Sequence, residues 1–147
     1  MPEIRRAVLE EIIHLRHAVL RADTTIEHAY FVEDTLATTQ HFGAFDDAGR
    51  CTGCATFLEV GHEAESAWQL RGMAVDGAER GRGVGRAMLD HAERTLVRAS
   101  PIKLLWCHAR KVAVPFYLRC GWDVVSDEYH IINIPHFKMT RRLSSAT

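Results

Sequence analysis

The stretch from Asp76 to Ala99, DGAERGRGVGRAMLDHAERTLVRA, constrains this chain most tightly. An apolar run, Trp68 to Val75, stops at Asp76; a turn rich in glycine and arginine follows, and then a helical pattern. Gly81, Gly83 and Gly85 remove Cβ atoms where the chain enters that helix. The backbone can then curl tightly, with several N–H groups aimed at one point. A helix start already carries unsatisfied N–H groups and partial positive charge, and Arg80, Arg82 and Arg86 add full charges around it. Such a place suits a phosphate or pyrophosphate. The P-loop pattern is excluded, because no Gly-Lys-Ser/Thr completes it. The dinucleotide pattern G-x-G-x-x-G fails too, since Arg86 stands where its third glycine should be.

A chain of 147 residues suits one domain with its own core, spanning residues 1–147. With 47% hydrophobic and 25% charged residues the composition is globular, which argues against disorder. A net charge of -1 supplies no global field for nucleic acid or an anionic membrane, so neither is expected as a partner. The opening MPEIRRAVLEEIIH carries acids and lacks an apolar core, unlike a signal peptide, and no run approaches transmembrane length. A cytoplasmic protein with free thiols is the expectation. Cys51-x-x-Cys54 has metal spacing but no second pair to complete it. In a strand a spacing of three puts the two thiols on opposite faces, so no metal is expected.

In chain order, Ile4 to Ala7 reads as a strand, and Leu9, Ile12, Ile13, Arg16 and Leu20 follow helical spacing, with Glu10 and Glu11 in the first turn. His14 and His17 read as partly exposed helix residues. Ala22 to Thr39 reads as a loop with a short helical piece. His41 to Asp46 and Thr52 to Val60 are strand-like around the turn Asp46–Arg50. A second turn, Gly61 to Glu65, leads to a strand from Ser66 to Val75. The helix from Val84 to about Ala99 turns Met88, Leu89, Ala92 and Leu96 to the sheet, and Ser100-Pro101 ends it. Ile102 to Cys107 reads as a doubly buried strand, parallel to Ser66–Val75 through a crossover. A short helix, Val112 to Cys120, stops at Gly121. A final hairpin, Trp122–Ile131 with Pro135–Arg142, and a frayed SSAT tail close the chain. The expected fold is α/β: a mostly antiparallel sheet of six to seven strands, one central parallel crossover, and helices on both faces. Ligands of open sheets bind at strand C-termini where neighbouring connections diverge, here beside the glycine loop.

Arg80-x-x-Gly83-x-Gly85 resembles the (Gln/Arg)-x-x-Gly-x-(Gly/Ala) loop of the GNAT superfamily of N-acetyltransferases, which grips the pyrophosphate of acetyl-coenzyme A. One strand later, Ala113-Val114-Pro115-Phe116-Tyr117-Leu118-Arg119-Cys120-Gly121-Trp122 resembles that family's Ala-x-x-Phe-Tyr-x-x-x-Gly-(Phe/Trp) signature. Two ordered motifs at the expected separation are far more specific than either alone. The resemblance is close over roughly Trp68 to Trp122. It implies an acetyl-CoA-dependent N-acetyltransferase. Backbone groups along Met73, Ala74 and Val75 would pair with the pantetheine arm. Amides of Gly81, Arg82, Gly83, Val84, Gly85 and Arg86, with Arg80 beside them, would hold the pyrophosphate. Phe116 would line the cofactor, and Tyr117 would serve as general acid to the departing thiolate. Many members carry Asn three residues before the motif's Ala; here Arg110 stands there, and its cation could still reach a carbonyl or phosphate. Pro115 falls near a first helical turn, where a missing N–H costs little.

Acetyl transfer to an amine needs a neutral amine, a stabilised oxyanion and a thiolate that can leave. A backbone N–H in Met73–Val75 suits the oxyanion, and a tyrosine hydroxyl can deliver a proton to sulfur. Glu59, His62, Glu65 and His108 are the candidates for a base, with Glu59 late in its strand and His108 at the end of the buried strand; histidine suits proton transfer near neutrality. Proximity alone can also supply much of the rate. The partners expected are acetyl-CoA and a small-molecule or peptide amine, with a homodimer left open. The acceptor stays open among drug, polyamine, amino acid and protein amine. The alternatives are an acyl-CoA-binding module without turnover, or an acyltransferase for a longer chain.

Overall fold

The computed structural model describes residues 2–144; from Ser145 on, the expected frayed tail falls outside them. In chain order the elements are β1 (Glu3–Ala7), α1 (Leu9–Leu20), β2 (Gln40–Phe45), β3 (Cys51–Glu59), β4 (Trp68–Val75), α2 (Val84–Ala99), β5 (Leu104–Arg110), α3 (Val114–Arg119), β6 (Asp123–Val124), β7 (Tyr129–Ile131) and β8 (Ile134–Arg142). The strands form one mostly antiparallel sheet in the order β1-β2-β3-β4-β5-β8-β6, with β7 also on β8. The expected crossover is present: β4 and β5 run parallel, Trp68 opposite Leu105 and Gln69 opposite Trp106.

Several boundaries differ from the sequence reading. The sheet has eight strands rather than six to seven, because Trp122–Ile131 is not one arm. Val124 pairs with Met139 and Tyr129 with His136, so five steps on one side oppose three on the other. The two extra residues loop out and divide the arm into β6 and β7. The strand expected over Ile102–Cys107 runs instead from Leu104 to Arg110, since its pairing with β8 continues to Arg110 opposite His136. His108 therefore stands inside the strand rather than at its end. The loop from Ala22 to Thr39 holds two short 3-10 turns, Ile26–Ala29 and Val32–Thr35.

The described residues group into two compact units. The first comprises Met1–Leu58 and Leu70–Thr95. Here α1 and α2 cover opposite faces of the sheet. A Cβ on Gly53 would meet Met88 and Val84 of α2, whereas the next residue, Cys54, packs with Ile12 of α1 and with Ala74. The amphipathic stripe of α2 is the one its sequence encodes: Met88, Leu89 and Ala92 are fully buried. Cys51 corrects the expectation of opposed thiols. The β2–β3 register shifts between Ala44 and Phe45, and this bulge turns Cys51 to the α1 side, against the cluster that holds Cys54.

In the same unit Arg16 and Asp34 form a buried ion pair of 2.7 Å, each side chain 1% exposed. Arg16 also donates to the Ala29 carbonyl and the Thr56 hydroxyl, and His41 bonds both Thr56 and the Asp34 carbonyl. The irregular segment is thus tied to the sheet by polar groups, which explains its weak apolar pattern.

The second unit comprises Glu59–Gln69 and Leu96–Thr147. Leu104, Leu105, Trp106 and Cys107 are buried there, as the apolar run requires, and Trp106 donates to the Val60 carbonyl at 2.9 Å. Trp122 fills the space beside Tyr117, with ring centroids 5.2 Å apart. The β7–β8 turn places Ile132 and Asn133 both at positive φ, the two-residue form that matches strand twist.

Candidate active site

In the first unit the chain leaves β4, turns at Asp76 and enters α2. Asp76 accepts from the Ala78 N–H and pairs with Arg50 at 2.7 Å; these contacts hold its carboxyl below the usual carboxylate range. Gly81 and Gly83 take φ of +79° and +80°, a region that L side chains rarely enter. A Cβ on either would meet nothing within 4 Å. The glycines are therefore needed for backbone angle and for open space in front of the loop, not for tight internal packing.

The α2 hydrogen-bond ladder starts where the Ala87 N–H meets the Gly83 carbonyl at 3.0 Å. The N–H groups of Val84, Gly85 and Arg86 precede that first donor and have no partner within the helix. The positive end of a 16-residue helix thus faces the exposed loop. Arg82 leans toward Glu79 at 3.8 Å, while exposed Arg80 and Arg86 have no ion-pair partner among the described residues. Val84 and Gly85 are buried, so they anchor the helix start while residues 80–83 stay accessible. Arg80, Asp76 and Arg50 also border a cavity of about 630 Å³ beside α1.

Leading into the loop, Met73 and Val75 pack toward the cluster of Ala44, Val84 and Met88, and Ala74 packs toward Ile12. Side chains of this segment are thus spent on both faces of the sheet. Just upstream, Gly72 takes φ of +62°, and a Cβ there would lie 2.8 Å from Arg16 Nε and 3.0 Å from the Phe31 ring. Left-handed backbone inside a strand marks a local break in the ladder. Phe31 itself lies between two guanidinium groups, Arg16 at 4.0 Å and Arg71 at 4.1 Å. Sequence reasoning passed over Gly72; the available signal was a glycine within an otherwise apolar strand.

The second unit carries the other candidates. Tyr117 on α3 is buried, and its ring lies 5.2 Å from those of both Phe116 and Trp122. Burial first, then the thiols of Cys107 and Cys120, pushes its hydroxyl pKa well above the ordinary tyrosine value. The Tyr117 hydroxyl is accordingly protonated near neutral pH. Pro115 stands in the first turn of α3, and Gly121 at φ +88° stops that helix, both as the sequence implies.

His108 is exposed on β5. Its Nδ1 lies 2.6 Å from the Tyr129 hydroxyl, and its ring meets Trp106 edge-on at 5.2 Å. Tyr129 was not singled out in the sequence, because nothing local ties it to a histidine 21 residues away. Glu59 is exposed at the end of β3, and His62 is buried against Trp106 at 5.4 Å. Glu65 is engaged by Arg142 at 2.7 Å, which holds its carboxyl low. Arg110 ends β5 half-buried. The first unit thus gathers Met73–Val75 with residues 80–86, and the second gathers Glu59, His108, Arg110, Phe116 and Tyr117.

Among the described residues no group of three or more His, Cys, Asp or Glu side chains is placed to hold a metal, and no helix is long and apolar enough to cross a membrane. The glycine loop fits a pyrophosphate: the positive end of α2, the exposed side chains of Arg80 and Arg86, and the open space at Gly81 and Gly83 converge there.

Residues 37–124 match the family model described as an acetyltransferase (GNAT) domain. The chain is 29% identical to the uncharacterized N-acetyltransferase YitI of Bacillus subtilis, over 99% of both chains. Escherichia coli ElaA superposes with a TM-score of 0.80 at 20% identity, covering 97% of this chain and 100% of that one. An aminoglycoside 6'-N-acetyltransferase, solved in complex with coenzyme A, superposes with a TM-score of 0.79 at 12% identity and 99% coverage of both. The matched segment contains both motifs and more than half of the sequence: this chain belongs to the GNAT family of acetyltransferases.

Proposed function

We propose that this N-acetyltransferase moves the acetyl group of acetyl-CoA to a primary amine by direct attack in a ternary complex. The glycine loop carries the reading. Left-handed Gly81 and Gly83 leave open space before the first turn of α2, which suits a pyrophosphate better than any internal packing role. The amides of residues 81–86 hold the pyrophosphate, and Arg80 and Arg86 add charge. Backbone groups of Met73–Val75 pair with the pantetheine arm, and one N–H there stabilises the oxyanion.

The amine nitrogen attacks the thioester carbon, forming a C–N bond as the carbonyl electrons move to oxygen. Collapse of that intermediate breaks the C–S bond. The nitrogen gives up a proton and the sulfur gains one, so the products are an amide and a thiol. Tyr117 donates toward the sulfur. A thiol is a stronger acid than tyrosine, so the hydroxyl works chiefly as a hydrogen bond that strengthens while charge builds on sulfur. His108 takes the proton from nitrogen. Its support is an exposed ring oriented by the 2.6 Å contact of its Nδ1 with the Tyr129 hydroxyl. Glu59 is the weaker candidate, since no hydrogen bond or ion pair among the described residues orients it.

Acetyl-CoA is expected to raise the melting temperature, by mass action about 2.7 kcal/mol at a hundred times Kd, and NADH is not. Addition of amines should then release free thiol. Equal stabilisation by NADH would return the loop to a dinucleotide site. Stabilisation by acetyl-CoA without thiol release from any amine would leave a binding module.

A further inference from the structure

The face of β5 that carries His108 has an unusual charge balance. Strand alternation places Trp106, His108 and Arg110 on one face and Cys107, which neighbours Tyr117, on the other. The cross-strand partners of Trp106, His108 and Arg110 are Thr140, Lys138 and His136. Partners directly opposite share a face with Cβ atoms about 4.5–5.5 Å apart, so Lys138 stands opposite His108 on this face. Its Nζ lies 5.4 Å from the centre of the Trp106 ring. Tyr129 stacks on His136 at 6.2 Å and reaches His108 through its hydroxyl, closing the far side.

Neither Lys138 nor Arg110 has a carboxylate partner among the described residues. Of the nearby carboxylates, Glu128 pairs with Lys111 at 3.0 Å and with His130, and Glu65 pairs with Arg142. Two half-buried cations with no ion pair among the described residues flank the proposed base. A polycationic acceptor would meet repulsion there, whereas an anion would be held by charge-assisted hydrogen bonds.

We propose that the acceptor is an amine bearing its own carboxylate, of the α-amino acid class. Its carboxylate sits on Lys138 and Arg110, and its amino group is delivered to His108. The proposal rests on the acetyl-transfer reading above, with Tyr117 serving the sulfur from one face of β5 and His108 the nitrogen from the other.

The test compares α-amino acids with their carboxamides as acceptors, alongside spermidine, in the wild type and in Lys138→Met. The wild type should prefer the carboxylates by about 10–100-fold in kcat/KM, the range of a hydrogen bond to a charged group. Lys138→Met should erase that preference while acetyl-CoA affinity, measured by calorimetry, stays unchanged. Equal or better turnover of carboxamides or spermidine overturns the proposal and keeps the enzyme. Loss of acetyl-CoA affinity in Lys138→Met also overturns it, and reassigns the cation to the phosphates of the donor. If no amine is turned over, the acetyl-transfer reading fails. Calorimetry of the same matched pairs on the acetyl-CoA-loaded protein then decides: tighter carboxylate binding supports the anion site, and equal binding removes it.

Discussion

At the scale of single residues, the chemistry turns on how a side chain's surroundings set its proton. Tyr117 is buried beside Trp122 and Phe116, and burial lifts its pKa far above the ordinary value near ~10. The native state therefore favours the neutral form. The stability this contributes is present below the unfolded pKa and is lost as pH rises through the folded one. Across the neutral range the hydroxyl stays a donor. Tyr117→Phe keeps the ring and its packing and removes only the donor. The expected result is a kcat lower by about 10²–10⁴-fold, with acetyl-CoA affinity nearly unchanged by calorimetry. A lower melting temperature with intact kcat would make Tyr117 a packing residue. The Phe-Tyr motif was legible in sequence; the partnership of His108 with Tyr129 was not, because it is made across strands and no local spacing encodes it.

At the scale of elements, the glycine loop and the segment on Arg16 contrast in how well sequence foretold them. The helix expected from Val84 to about Ala99 runs over Val84–Ala99, since an amphipathic period and a Ser-Pro stop are local signals. The loop before it was read as phosphate-binding from three glycines. Left-handed backbone is found at Gly81 and Gly83, whereas Gly85 lies buried in the helix. Gly83→Val should therefore be the severe change. It forces a branched side chain into a left-handed angle and fills the open space before the helix. Acetyl-CoA binding should weaken by at least about tenfold in calorimetry, with the circular dichroism of the fold retained. Normal binding by a folded Gly83→Val variant would reduce the loop to a turn.

The segment from Ala22 to Thr39 resisted reading because its order is not apolar. It depends on the ion pair of Arg16 with Asp34, which joins residues 18 apart in sequence. The bulge that moved Cys51 to the side of Cys54 was hidden for a similar reason: an inserted residue in one strand is defined only against its partner.

At the scale of the whole molecule, the order of elements carried most of the fold. Three strands, a glycine turn, a helix and a doubly apolar strand dictate a parallel crossover in an otherwise antiparallel sheet, and Trp68 opposite Leu105 is that crossover. The last arm was harder, since its division into β6 and β7 depends on two surplus residues rather than on composition. What strand order could not reveal was the charge of the face around His108, which emerges only when β5 and β8 are set in register.

The most direct measurement follows the acetyl group itself. Acetyl-CoA labelled with carbon-13 in its acetyl group is incubated with the protein and a mixture of amines, and the products are read by mass spectrometry. Acetyl transfer by this chain predicts label on nitrogen, as an amide, at a rate proportional to protein and sharply reduced in Tyr117→Phe. Label that stays on the thioester, or appears only as free acetate, would contradict it.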